Sequence, residues 1–134
     1  MAIKVLVVDD SLVFRETLSR LIDAESGIEV IGTAVDAFTA KEKIDKATPD
    51  VLILDVELPK VSGIDFLKEL LPKKPIPTVV VTATAISAFD AISAGAVDFV
   101  KKPLVRSRSD IEDFARLLAQ KIKVAAIAKV KLYS

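Results

Sequence analysis

The chain has 134 residues, of which 51% are hydrophobic, so it is long enough to fold as one domain around a sizeable core. Its 19 basic and 19 acidic residues cancel, and nucleic-acid-binding surfaces need an excess of positive charge, so we expect no direct contact with nucleic acid. The absence of cysteine and histidine excludes disulfides, thiolate or imidazole zinc sites, and catalytic units of the Ser-His-Asp or Cys-His kind. A metal site must therefore use oxygen ligands, which suit Mg²⁺, Ca²⁺ or Mn²⁺.

Membrane insertion is not expected. The residues after Met1 lack the apolar core of a signal peptide, and no apolar run reaches the roughly 18 residues of a membrane span. We therefore expect a cytoplasmic protein.

Five short apolar runs alternate with five stretches of helical periodicity along the chain. The runs are rich in branched residues and close on polar or turn residues, which is typical of buried strands in a parallel sheet. The runs predicted as strands are residues 3–8, 28–34, 51–55, 78–81 and 97–100. The boundaries of the predicted helices are marked by Ser11, the capping residue Asp36, Ser62-Gly63, the stop at Gly95, and Asp110, where the last helix begins and continues through Lys131.

This alternation predicts an α/β fold of the flavodoxin-like type, a doubly wound parallel sheet of five βα units with right-handed crossovers and an extended C-terminal helix. The commonest strand order for such a fold is 2-1-3-4-5. The first and third strands are then neighbours. Asp9 and Asp10, which follow the first strand, would meet Asp55, which ends the third, in one crevice at the carboxyl edge of the sheet.

Three carboxylates in one crevice repel one another, and a divalent cation would compensate for that repulsion. A metal held by Asp10 and Asp55 leaves space for a phosphoryl group, and Asp55 can attack phosphorus to form an acyl phosphate. Lys102 after the fifth strand can supply a second cation, and Thr82 at the end of the fourth strand can supply a hydroxyl donor. No general base is required, which suits a chain without histidine.

Each of these residues also has a purely structural interpretation. The pair Asp9-Asp10 could cap a helix, Thr82 could be an ordinary strand-end threonine, Lys102 a solvated loop lysine, and Phe99 a core residue. Because they fall together at the carboxyl ends of strands, in the right order, we favour the functional interpretation.

From Ile3 to about Ala119 the chain resembles the receiver domain of two-component response regulators. The matching motifs are Val7-Val8-Asp9-Asp10-Ser11, Leu54-Asp55-Val56-Glu57-Leu58-Pro59, Ser62-Gly63, Val81-Thr82-Ala83, and Gly95-Ala96 through Lys101-Lys102-Pro103.

The resemblance implies that Asp55 accepts a phosphoryl group from a sensor histidine kinase. It implies an Mg²⁺ or Mn²⁺ ion bound by Asp9, Asp10, Asp55 and the backbone carbonyl of Glu57, with Asp10 as a direct ligand.

The same resemblance implies a switch. Thr82 and Lys102 would contact the phosphoryl group, and Phe99 falls where the family has an aromatic residue that packs inward when the threonine moves. The Lys102-Pro103 peptide bond is expected to be cis, as in many receivers.

Within the family, residues 55–59, residues 95–103 and the helical tail from Ala119 are similar to the regulatory half of chemotaxis protein-glutamate methylesterases. Thr82-Ala83-Thr84-Ala85 differs from the Ser-Ser-Leu-Thr type of sequence usual in those proteins, and Ser62 stands where many receivers have Asp. The resemblance implies a receiver domain at residues 1–119 and a helical linker or tail at residues 120–134, toward an esterase domain. The chain has no Gly-x-Ser-x-Gly elbow, so we expect no esterase activity of its own.

The expected function is that of a phosphorelay receiver that slowly hydrolyses its own phosphate and switches an output face formed by the fourth helix, fifth strand and fifth helix. In a longer parent it would regulate a methylesterase. One alternative is a stand-alone interaction module that does not turn over phosphate. Another is a haloacid dehalogenase-type phosphatase, which needs its nucleophile after the first strand and a second Asp two residues later, where this chain has Asp9-Asp10-Ser11. A flavin site lacks support because the loop after the first strand is acidic.

Overall fold

A computed structural model describes residues 2–128 of the chain, and the predicted architecture is confirmed. Five parallel strands form one sheet in the order β2-β1-β3-β4-β5. The strands are β1 (Ile3–Val8), β2 (Ile28–Ala34), β3 (Val51–Asp55), β4 (Thr78–Thr82) and β5 (Asp98–Lys101). The helices are α1 (Leu12–Asp23), α2 (Ala37–Lys46), α3 (Gly63–Leu70), α4 (Ala85–Ser93) and α5 (Arg108–Ala125).

The sheet has a separate hydrophobic core on each face, because successive side chains of a strand point to opposite sides. On one face, Leu52 and Leu54 of β3 pack with residues of α2, α3 and α4. On the other face, Val51 and Ile53 pack with residues of α1 and α5. All five residues of β3 are buried, and each large apolar side chain removed from water contributes about 1.5–3 kcal/mol. The central strand that ends at Asp55 is therefore fixed from both sides.

The last helix begins slightly earlier than predicted. The carboxylate of Asp110 accepts hydrogen bonds from the backbone N–H groups of Arg106 at 2.8 Å and Ser107 at 3.1 Å, so Asp110 lies inside the first turn rather than at its start. At the other end the helix stops at Ala125, whereas the predicted end at Lys131 lies outside the described residues.

Helix α5 runs back from the carboxyl edge of the sheet to the amino edge. It starts after the loop that follows β5, and the chain beyond its last turn lies beside the residues that open the strands. Ala126 lines a surface depression together with Ile3, Asp50 and Pro77.

The open edge of the sheet at β2 is occupied by side chains. Asp23 accepts a hydrogen bond from the backbone N–H of Val30 at 2.8 Å, and Lys43 donates to the carbonyl of Thr33. These contacts use backbone groups that would otherwise be free to pair with another strand. None of the helices α1 to α5 combines the length and the apolar character that a membrane span requires.

Candidate functional site

The three predicted carboxylates lie together at the carboxyl edge of the sheet. Val8 of β1 is in register with Leu54 of β3, so the residues that follow them, Asp9 and Asp55, are side by side. Asp10 completes the cluster, and one oxygen from each carboxylate lies within 4.8 Å of the other two. Asp9 and Asp55 are buried, with 3% and 2% of their surface exposed, whereas Asp10 is exposed. The cluster is thus a small acidic pocket that opens to solvent on the Asp10 side.

The carboxylate of Asp55 is held at both oxygens. Its Oδ1 accepts a hydrogen bond from the backbone N–H of Glu57 at 2.9 Å, and its Oδ2 lies 3.2 Å from the Lys102 Nζ. The side chain of Glu57 is exposed, so only its backbone belongs to the site. Gly63 N–H donates to the carbonyl of Val56 at 2.8 Å and closes the loop that carries this turn.

Lys102 connects the fifth strand to the acidic pocket. Its backbone N–H donates to the carbonyl of Thr82 at 2.9 Å, and its Nζ lies 3.2 Å from Asp55 and 3.6 Å from Asp9. Partial burial on its own would lower the pKa of Lys102, but the attraction of Asp55, Asp9 and Asp10 outweighs that effect and raises it. The ammonium group therefore stays positively charged beside the two buried carboxylates.

One lysine does not neutralise the pocket. Burial, followed by the negative charges of Asp55 and Asp10, raises the pKa of Asp9, although Lys102 and a hydrogen bond from the Ser11 backbone N–H at 2.8 Å favour the ionised form. Excess negative charge on oxygen ligands is the setting that a hard divalent cation stabilises. The residues present fit Mg²⁺ or Mn²⁺.

Thr82 ends β4, and Phe99 lies on the neighbouring strand β5, where it is in register with Val80 rather than with Thr82. Thr82 is buried, and its hydroxyl group makes hydrogen bonds with the backbone of Thr84, from N–H at 3.3 Å and to the carbonyl at 3.5 Å. Phe99 is 43% exposed and therefore is not a core residue in this conformation. The prediction of a cis bond before Pro103 was wrong, since every peptide bond across residues 2–128 is trans.

The sequence did not predict the contacts that three further residues make with the site. Arg15 donates from Nη1 to the carbonyl of Asp9 at 2.8 Å. The Phe14 ring lies under the Lys102 ammonium, and Gly63 is packed directly against the backbone of Asp55. Phe14 and Arg15 lie in the first turn of α1, directly after the acidic pair. Their closeness to Asp9 and Asp10 in the sequence was the signal that could have indicated a role at the site.

The sequence matches the profile of the response regulator receiver domain over residues 5–115. It is 52% identical over 128 residues to a protein-glutamate methylesterase/protein-glutamine glutaminase of Syntrophomonas wolfei, covering 96% of this chain and 38% of that protein. It is 42% identical over 135 residues to a protein of the same description from Shewanella sp., covering 98% of this chain and 38% of the relative. The chain thus spans about two-fifths of the length of the curated relatives that it matches.

Solved structures show the same similarity. The crystal structure of the response regulator domain of Thermotoga maritima CheB superposes with a TM-score of 0.86 at 35% identity, covering 96% of this chain and 99% of that chain. A putative response regulator from Chloroflexus aurantiacus superposes with a TM-score of 0.80 at 26% identity, covering 96% of this chain and all of that chain.

Proposed function

This chain belongs to the response regulator receiver domain family, and from that premise we propose that it accepts a phosphoryl group on Asp55 and transmits the change to the face formed by α4, β5 and α5. The observation that carries the proposal is the buried Asp55 carboxylate at the end of the central strand, 3.2 Å from the Lys102 ammonium and clustered with Asp9 and Asp10. Neither a helix cap nor an ordinary ion pair requires three carboxylates in one pocket.

The acidic residues would hold Mg²⁺ or Mn²⁺ through Asp9, Asp10, Asp55 and the backbone carbonyl of Glu57. Such an ion, when bound, neutralises charge on the phosphoryl oxygens. Asp9 accepts a hydrogen bond from Ser11, which fixes one of its oxygens, and the hydrogen bond from Glu57 fixes one oxygen of Asp55. The carboxylates are therefore oriented by the protein backbone before any ion arrives.

In the transfer step a carboxylate oxygen of Asp55 attacks phosphorus and forms a new P–O bond. The P–N bond of a phosphohistidine breaks, and its electron pair stays on the imidazole nitrogen, which takes up a proton. Lys102 and Thr82 contact the oxygens of the transferred group, the lysine by charge and the threonine by its hydroxyl group. Hydrolysis reverses the modification, because water attacks phosphorus and the P–O bond to Asp55 breaks to release inorganic phosphate.

The phosphoryl donor in our proposal is a sensor histidine kinase. The relatives that cover nearly the whole chain carry the description protein-glutamate methylesterase, which supports a chemotaxis-type kinase and a methylesterase domain as effector in a longer parent protein. In that parent the unphosphorylated receiver would shield the esterase active site. Deletion of the receiver from such a parent should raise basal esterase activity, and unchanged activity after deletion would contradict this part of the proposal.

An output face is supported by exposed apolar side chains on α4 and β5. Helix α4 packs on the sheet through the small residues Ala88 and Ala91, while Ile86 and Phe89 are 77% and 73% exposed. Phe99 on β5 is also exposed. Movement of Thr82 toward a phosphoryl group would open space behind it for the Phe99 ring, which changes the surface that a partner contacts.

The deciding experiment is an intact-mass measurement after incubation with acetyl phosphate and Mg²⁺, with Asp55→Asn as the matched control. We expect one added phosphoryl group on the wild-type protein and none on the variant or after chelation. If the wild-type protein gains no phosphoryl group under these conditions, the chain is an interaction module whose acidic pocket is only architecture.

A further inference from the structure

We propose that Phe14 is a positioning residue for Lys102, whose ammonium group its ring supports over the acidic pocket. This inference rests on the proposed function, because it concerns the cation that would contact the phosphoryl group. Phe14 is not an acidic, hydroxyl or charged residue, and none of the motifs of the sequence includes it.

The contact is specific. The Lys102 Nζ lies 5.2 Å from the centroid of the Phe14 ring, while it is also 3.2 Å from Asp55 and 3.6 Å from Asp9. A cation over the face of an aromatic ring within about 6 Å is attracted by the ring quadrupole. The attraction is stronger where water is partly excluded, as it is beside the two buried carboxylates.

A neutral support has a chemical advantage for this lysine. Its ammonium group is paired with the Asp55 carboxylate, which is the group that reacts, so the ion pair weakens when that carboxylate is modified. The backbone around Lys102 is held by a hydrogen bond to Thr82, but the side chain has four rotatable bonds beyond that anchor. The Phe14 ring carries no charge and does not compete for the phosphoryl group, so it can restrict the ammonium in both states of Asp55.

The ring itself is held in place by α5, which packs beside α1 on the same face of the sheet. Phe14 packs on Phe114 of α5 with ring centroids 5.9 Å apart and planes tilted by 45°. Phe114 is buried in the core between the sheet and helices α1 and α5. This tilted arrangement is one of the geometries that aromatic pairs prefer. The position of the lysine is thereby tied to the packing of α1 against α5.

The test uses Phe14→Leu, which keeps an apolar side chain but removes the aromatic face, and Phe14→Tyr, which keeps the face. A rate comparison at saturating Mg²⁺ with acetyl phosphate should show phosphoryl uptake about 5-fold slower for Phe14→Leu and within about 2-fold of wild type for Phe14→Tyr. The Mg²⁺ concentration for half-saturation should change by less than about 2-fold, because the carboxylates are unaltered.

A double-variant comparison separates positioning from general packing. In a Lys102→Met background, Phe14→Leu should slow uptake no further, since the group that it positions is gone. An equal slowing in both backgrounds would overturn the inference and assign Phe14 a packing role only.

A second readout does not depend on phosphorylation. In the ion-free protein the ε-methylene protons of Lys102 should show a ring-current shift in the NMR spectrum that Phe14→Leu abolishes and Phe14→Tyr retains. Absence of that shift in the wild-type protein would also overturn the inference. If the wild-type protein takes up no phosphoryl group but shows the shift, the proposed function fails and the contact between Phe14 and Lys102 stands.

Discussion

Gly63 lies against the backbone of Asp55 so closely that a Cβ atom on it would be 2.5 Å from the Asp55 carbonyl oxygen and 2.9 Å from the Cα of Val56. The first residue of α3 therefore touches the peptide unit that carries the proposed phosphoacceptor. Any side chain at this position must displace backbone, which cannot swing aside as a flexible side chain can.

Gly63→Ala should lower the free energy of unfolding by about 2 kcal/mol, because overpacking against backbone forces the turn after β3 to move. Denaturant unfolding measures the loss, and Gly32→Ala is the matched control. A Cβ on Gly32 would meet Leu6 at 3.5 Å and Lys43 at 3.7 Å, which are ordinary contacts, so the control should stay within about 0.5 kcal/mol of wild type. Equal losses in the two variants would show that the close approach is not the cause.

Asp10→Asn should make the protein insensitive to Mg²⁺ without harming the ion-free fold. Asp10 is exposed, and its negative charge contributes to the repulsion that raises the pKa of Asp9. Neutralising Asp10 therefore reduces the repulsion among the carboxylates in the absence of an ion. The wild-type protein should gain about 2.7 kcal/mol in Mg²⁺ at a hundred times its dissociation constant. Thermal unfolding in chelator and in Mg²⁺ measures both effects, and a variant that is still stabilised by Mg²⁺ to the wild-type extent would count against Asp10 as a ligand.

Arg15→Met should loosen the loop that carries the acidic pair. The variant keeps the aliphatic stem but removes the hydrogen bond from Nη1 to the Asp9 carbonyl, and we expect a loss of about 1 kcal/mol in stability. The concentration of Mg²⁺ at half-saturation should rise by up to about 10-fold, as expected when a group that orients ligands is lost. Arg20→Met, an exposed arginine on the same helix, should leave both quantities near their wild-type values.

The difference in stability between the wild-type protein and Asp36→Asn should depend on pH in the acid range. Its side chain accepts a hydrogen bond from the Thr39 backbone N–H at 2.7 Å, and that bond lowers the pKa of Asp36. A lowered pKa of an acid stabilises the fold above its unfolded-state pKa, and the stabilisation disappears as the pH falls through the folded-state pKa. Unfolding measured across the acid range should therefore show wild type and Asp36→Asn converging or crossing on acidification, because the amide keeps an acceptor oxygen at every pH. Parallel profiles would contradict this origin.

The strand order and the acidic site could be predicted because they depend on short-range patterns. Apolar runs that end in polar residues locate the strands, and the flavodoxin-like order then brings Asp9 beside Asp55 without further information. Helix ends were less predictable. Asp110 looks like a residue that starts a helix, but it lies inside the first turn, and its carboxylate accepts hydrogen bonds from the backbone N–H groups of Arg106 and Ser107, which precede the helix.

The supporting contacts of the site could not be predicted from sequence. The approach of Phe14 to Lys102 depends on how α1 packs against α5, and the close contact of Gly63 depends on the path of the loop after β3. The first relationship joins residues far apart in the chain, and the second depends on the conformation of a short loop, so periodicity and motif spacing predict neither.

The return of α5 to the amino edge makes this helix a lever. With 18 residues at about 1.5 Å each, it is about 27 Å long, and its two ends lie at the carboxyl edge and the amino edge of the sheet. A tilt of about 5° at the end near Lys102 would displace the far end, beside Ala126, by about 2 Å, which is enough to alter side-chain packing there. A movement at the carboxyl edge that tilts α5 would therefore reach residues 126–128 as a mechanical displacement rather than as a change of charge.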